Sequence, residues 1–254
     1  MKIILGTAAL GGQPYAGKTV SRKEARAVIE KALVHKIAAF DTSPAYGDAE
    51  DILGEVAVGH GITIYSKHSS AATVLPSIRK LSRCTVKLMA HNLDPAILNS
   101  RDGWQRMSVW ADGYSAYAAD AGGEMFAWQI PLIKQVDCSI VSRRATEGDG
   151  YSFIARSIFL RGMLCDTSQT IVIDPVLSPA ITAAKALADS LRLPLPALAL
   201  HWAMQQPKIT GIVIGPSSVA ELDQIMAWSK LPCQDLGRLV NLIPSVPVDL
   251  RTWN

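Results

Sequence analysis

Short apolar runs of β type alternate with helical periodicity along nearly the whole chain, and this alternation limits the folds open to it. KIILGT (2–7) closes at a Gly-Thr, after which Ser21-Arg-Lys-Glu24 forms a capping box and Ala25, Val28, Ile29, Ala32 and Leu33 recur on one helical face. IAAFDT (37–42), ITIYSK (62–67) and TVKLMAH (85–91) are the next three strands, separated by helices on Ala49, Ile52, Leu53 and Val56 and over 71–82. RMSVW (106–110), FAWQI (126–130) and FIARSI (153–158) supply strands five to seven. A helix from Ser178 to Leu191, another from Pro196 to Gln205, the strand ITGIVIG (209–215) and a last helix after Ser218 complete the series. Eight strand-like runs joined mostly through helices predict a parallel sheet closed into a (β/α)8 TIM barrel, an α/β fold. No linker divides it, so residues 1–254 are expected to form a single domain. The links after strands four and five are short, and those βα sectors are expected to be pared down.

Composition narrows the partners. With 254 residues, 49% of them apolar, the chain can bury a large core without disulfides or metal. The net charge is +3 and its cations are interspersed with acids, which leaves no footprint for nucleic acid or a membrane surface. Cys84, Cys138, Cys165 and Cys233 are far apart, form no CxxC and lack neighbouring His at ligand spacing, so no metal site is expected. MKIILGTAALGG is too short an apolar run for a signal core, and a cytoplasmic location is expected.

In such a barrel the chemistry lies where strands end and βα loops begin. Asp41 closes strand two, Lys67 strand three and His91 strand four, while Tyr46 follows Asp41 in the adjoining loop. Each has an ordinary structural role open to it: helix cap, surface cation, hydrogen-bonded strand end, packing. Together on one rim they form a chemical unit. A phenol titrates near pKa ~10, and a neighbouring cation favours its phenolate. Asp41 would fix Lys67, Lys67 would make Tyr46 more acidic, and His91 would orient an oxygen that gains negative charge. That set suits the delivery of a proton during carbonyl reduction.

The pattern resembles the aldo-keto reductase family, in the form of its short bacterial members. Gly6-Thr7, Asp41 to Tyr46-Gly47, Glu50, Lys67 and His91 match the family's order and strand placement, and the catalytic tetrad is complete. The resemblance implies an NAD(P)H-dependent oxidoreductase. It places Ser108 of MSVW and Gln129 of WQIP on the nicotinamide carboxamide, and Gly6 and Thr7 beside the cofactor. ARSIFLRGML, with Arg156 and Ser157, is similar to the strand-seven segment, and IVIGPSSVAEL, with Gly215, Ser217 and Glu221, to the strand-eight phosphate site.

Three departures accompany the likeness. Arg156 stands where the family stacks an aromatic ring on the nicotinamide, a place in which a guanidinium either stacks or forms a strand-end ion pair. At the strand-eight site the cations that hold a 2′-phosphate are missing, and Glu221 either accepts from a ribose hydroxyl or completes the capping box Ser218-Val-Ala-Glu221. Family usage favours NADP(H), with NAD(H) not excluded. Residues 92–107 between His91 and Ser108, and the tail after Trp228, are short, which predicts an open, shallow pocket with Tyr15 and Trp110 at its rim.

The leading expectation is reduction of an aldehyde or ketone of a small metabolite by a monomeric enzyme. A cofactor-independent lyase, dehydratase or isomerase using Tyr46 and Lys67 is the alternative. A non-catalytic partner protein is a third reading.

Overall fold

The computed structural model describes residues 2–15, 17–69, 71–91, 113–116, 133–143, 152–165 and 175–246. Eight parallel strands close in sequence order into a barrel: β1 (Lys2–Gly6), β2 (Ala39–Thr42), β3 (Thr63–His68), β4 (Thr85–His91), β5 (Gly113–Ala116), β6 (Ile133–Asp137), β7 (Ser152–Arg156) and β8 (Ile209–Ile214). Pairing of Lys2 to Leu5 with Gly211 to Ile214 shuts the ring. The described helices on its outside are α1 (Arg22–Val34), α2 (Ala49–Val56), α3 (Val74–Lys80), α4 (Ser178–Ser190), α5 (Leu195–Met204) and α6 (Val219–Trp228). None of these is long and apolar enough to cross a membrane.

Two apolar layers follow from strand alternation. Ile4, Ala39 and Ile154, with Tyr65, Ile133 and Val213, fill the barrel, whereas Leu5, Phe40, Ile64, Val136, Phe153 and Ile212 face outward onto the helices. Helix α1 shows how local sequence meets this frame. Ser21 and Glu24 form the expected reciprocal capping box, and Ala25, Val28, Ile29 and Ala32 are the buried stripe. Such a cap contributes about 1 kcal/mol, and the buried stripe fixes which way the helix faces.

Strands five and six differ from expectation. RMSVW and FAWQI lie outside the described residues, and the barrel instead uses Gly113–Ala116 and Ile133–Asp137. The apolar runs gave the stronger strand signal, but strand six carries the polar, buried Gln135 and Asp137, so hydropathy passes over it. The links after strands four and five therefore span 92–112 and 117–132, outside the described residues.

One close approach decides how α2 and α3 pack. A Cβ on Gly54 would lie 2.4 Å from the Lys80 carbonyl oxygen. Alanine gains about 1 kcal/mol of helix propensity over glycine, but overlap with a backbone oxygen costs roughly 1–3 kcal/mol. Gly54→Ala is thus expected to lower the urea midpoint of unfolding. A raised midpoint would show that the two helices separate freely.

Candidate active site

A buried ion pair lies at the centre of the rim. Lys67 Nζ is 2.7 Å from Asp41 Oδ1, and both residues are only 4% exposed. The second Asp41 oxygen accepts from Gln135 Nε2 at 2.7 Å, and Gln135 Oε1 in turn accepts from Lys67 at 3.4 Å. Lys67 is also hydrogen-bonded to the Tyr46 side chain. An ammonium has three protons and no lone pair, so it donates to Asp41, Gln135 and the phenol oxygen of Tyr46. Burial works against its charge, but Asp41 foremost and then Tyr46 outweigh that and raise its pKa above the ordinary lysine value. Lys67 is a fixed cation.

Tyr46 reaches it through a turn written in the sequence. Ser43-Pro44-Ala45-Tyr46 is closed by Tyr46 N donating to Ser43 O at 2.9 Å, with Pro at the position where its fixed φ suits a turn. Ser43 Oγ donates to the Lys67 carbonyl at 2.8 Å, which binds the end of β2 to β3. The ammonium sits 5.2 Å from the Tyr46 ring centroid, and the His91 ring meets that ring edge-on, 6.0 Å between centroids. The four residues expected on one rim are therefore in one cluster.

His91 is neutral. Burial is the largest cause, and the positive charges of Lys67 and Arg156 add to it, taking its pKa down to about 3. Its Nδ1 lies 3.5 Å from Ser43 Oγ.

Behind this group lies Glu50, in the first turn of α2. It is buried, and its two oxygens accept from Ser66 and Ser77, each at 2.7 Å. Since the Ser66 proton goes to Glu50, His68 Nε2 at 2.9 Å acts as donor to Ser66 and its Nδ1 as acceptor from Thr73 at 2.8 Å. Helix α2, which begins just after Tyr46, is thereby bonded to the strand that carries Lys67.

The expected cofactor residues fall into three groups. Ser108 and Gln129 lie outside the described residues, as does Trp110. The strand-five serine in register with His91 is Ser115, and the strand-six glutamine is Gln135. The alternation Ile133, Gln135, Asp137 is the sequence signal of strand six. Thr7 is buried and spends its hydroxyl on the Asp41 carbonyl (3.1 Å) and Thr42 (2.9 Å), which locks the ends of β1 and β2 together. Arg156 takes the ion-pair option: Nη1 and Nη2 each lie 3.0 Å from an oxygen of Asp137, and Ser157 Oγ donates to the same carboxylate at 2.8 Å. Asp137 went unnoticed in the sequence.

At strand eight, Gly215 precedes Ser217 and the start of α6. Glu221 Oε2 accepts from Ser217 N (2.7 Å) and Ser217 Oγ (2.9 Å), and its own N–H donates to the Ser218 cap at 3.2 Å. The missing cation comes from elsewhere. Lys18, on a turn that pairs Tyr15 with Lys18, places Nζ 2.7 Å from Glu221 Oε1 and 3.4 Å from Ser217 Oγ. Burial pushes Glu221 towards protonation, but the bonds from Lys18 and Ser217 prevail and hold its pKa below the usual value. Cys165, in the loop after β7, senses the same pair, and its thiol is driven up to about 12 chiefly by burial. Three βα loops thus meet at this edge, and they offer hydroxyl, ammonium and helix N-terminal donors of the kind a dinucleotide phosphate or ribose needs.

Residues 2–82 match the family model for the aldo/keto reductase family, a span that includes Gly6, Thr7, Asp41, Tyr46 and Lys67. The fold is similar to that of the glycerol dehydrogenase of Gluconobacter oxydans, with a TM-score of 0.70 and 18% identity over 94% of this chain and 90% of that one. It is also similar to an aldo-keto reductase of Bacillus halodurans in its holo form, with a TM-score of 0.75 and 15% identity over 98% and 94%. No curated protein matches the sequence. The family model thus matches the first three βα units, which carry Asp41, Tyr46 and Lys67, and the two solved structures share the barrel fold.

The charge state of His91 is directly measurable. Its folded pKa is depressed, so between about pH 6.5 and 3 the unfolded chain binds a proton that the folded chain refuses, and stability falls as pH falls through that window. Its imidazole C–H resonances are expected to stay unshifted from pH 8 down to pH 5. A titration centred above pH 6 would contradict a neutral, buried ring.

Proposed function

We propose that this protein reduces an aldehyde or ketone of a small metabolite to the alcohol, with Tyr46 as the proton donor. The observation that carries this reading is the Lys67 ammonium held among Asp41, Gln135 and Tyr46. Because an ammonium only donates, the phenol oxygen accepts from Lys67 and keeps its own proton in that contact. A nicotinamide cofactor, when bound, supplies the hydride. Tyr46 then protonates the oxygen on which negative charge develops, and Lys67 stabilises the phenolate left behind. Asp41 and Gln135 keep the ammonium in place. Neutral His91, edge-on to Tyr46, takes the role of orienting the carbonyl. The absence of a basic cluster in the sequence supports action on a small molecule, and the resemblance favours a cytoplasmic monomer.

For Tyr46→Phe, a loss of about 10²–10⁴ in kcat is expected with cofactor affinity retained. Activity within a few-fold of the parent across a panel of aldehydes and ketones would remove Tyr46 as the acid. The same measurement answers the reading of a non-catalytic partner protein, for which this substitution changes nothing.

NADP(H) is the cofactor we favour, with Ser217, Gly215 and the start of α6 at its phosphate end. The support is Lys18, which brings a cation to an edge that strand eight itself leaves without one. A 2′-phosphate would draw Lys18 from Glu221, whereas a ribose hydroxyl would leave that pair intact. Lys18→Ala is expected to weaken NADPH about fivefold, since exposed ion pairs contribute up to about 1 kcal/mol, and to leave NADH within about twofold. Parallel fluorescence titrations decide it. Equal losses for the two cofactors, or none, would make NAD(H) the better assignment.

A further inference from the structure

We propose that Gly11 is a positioning residue, whose bare backbone sets how far Tyr46 stands from Lys67. This deepens the reading of Tyr46 as the proton donor and rests on it. The loop after β1 is fixed at its root by Thr7, whose N–H donates to the Asp41 carbonyl at 2.9 Å, and near its tip by Lys18 on Glu221. Between these anchors it presses directly on the peptide that joins Tyr46 to Gly47. A Cβ on Gly11 would stand 1.6 Å from the Tyr46 carbonyl oxygen and 3.2 Å from Gly47 N. The converse holds as well, because a Cβ on Gly47 would lie 2.2 Å from the Gly11 oxygen. That oxygen is occupied by the Asp48 amide, which donates to it at 3.0 Å and so links the loop to the start of α2.

Both sides of this contact are main chain, which cannot rotate away as a side chain can. Any atom added to either glycine must push the Tyr46 peptide and the β1 loop apart. The Tyr46 peptide has little other freedom, since its N–H is committed to Ser43 and Gly47 holds a left-handed φ of +54°. A displaced peptide carries the phenol with it and changes its distance to an ammonium that Asp41 and Gln135 hold in place. A shift of about 1 Å in a reacting group costs on the order of 10²-fold in rate. Gly12 provides the internal comparison: it has a φ of +78°, but a Cβ there would have nothing within 4 Å. Substitution at Gly12 therefore brings backbone strain without displacement of Tyr46.

The test compares Gly11→Ala, Gly47→Asn and Gly12→Ala in the full-length protein. Asn is chosen at Gly47 because it tolerates a left-handed φ better than most residues. For the first two, kcat for carbonyl reduction is expected to fall about 10²-fold, while the dissociation constants of NADPH and NADH stay within about twofold of the parent. Gly12→Ala is expected to keep its kcat. The second readout does not depend on turnover. In protein labelled with ¹³C-tyrosine, the Tyr46 resonance, identified by its loss in Tyr46→Phe, should move in Gly11→Ala and Gly47→Asn and not in Gly12→Ala. If the parent reduces no carbonyl, the functional reading fails and the resonance still decides the positioning. An unmoved Tyr46 signal with retained kcat overturns the proposal. So does loss of the folded state in both contact variants, which would make the contact a requirement of folding rather than of placement.

Discussion

The site depends on a charge that water cannot reach. Moving an ammonium and a carboxylate into a barrel mouth costs several kcal/mol per ion, and their attraction offsets this only when the remaining donors and acceptors are also satisfied. Asp41 and Lys67 meet that condition because Gln135 bridges them from the opposite side of the barrel. The pair adds little to net stability. Its effect is on order: with both oxygens of Asp41 engaged and the Lys67 protons assigned, Tyr46 has one fixed place at which to take the remaining ammonium proton. Ser43 on the Lys67 carbonyl and Glu50 on Ser66 reinforce the same relation from outside the barrel, by joining the segments before and after Tyr46 to β3.

Legibility followed sequence distance. The stretch from Asp41 to Gly47 could be read because a turn, a strand end and a helix start are local events with local chemistry. The placement of Lys67 and His91 could be read because strand ends alternate with helices at a regular pitch. Strands five and six could not, because the residues they turn towards the mouth are polar: Gln135 and Asp137 lower the hydropathy of the strand that holds them, while RMSVW and FAWQI advertise strands more loudly. A search for alternation rather than for apolarity would have favoured IKQVD.

Lys18 illustrates the other limit. It and Glu221 are neighbours only because β1 and β8 are the two ends of a ring, so no window on the sequence contains both. Once they are paired, Glu221 receives a cation, and its N–H meets the Ser218 cap, as a helix start requires. Its side chain accepts from Ser217 rather than returning to Ser218, so the capping box is only half formed. Arg156 similarly had two open roles, and the ion pair with Asp137 is the one its geometry satisfies.

The distribution of protons bears on which reaction the rim suits. Elimination or isomerisation begins with a base that removes a proton from carbon, and the carboxylates of the site are poorly disposed for that work. Both oxygens of Asp41 are engaged by Lys67 and Gln135, and those of Asp137 by Arg156 and Ser157. The cations are equally committed, for Lys67 is held charged by Asp41 and Tyr46. His91 is kept neutral by burial and by the two cations near it, so it carries one ring proton and does not acquire a second under ordinary conditions. Tyr46 is left as the group whose loss of a proton the surroundings stabilise, since a cation is already bonded to its oxygen. On the proposed reading, with Tyr46 as the proton donor, such a rim gives a proton to oxygen more readily than it takes one from carbon, and that asymmetry is why reduction is proposed over elimination on the same barrel.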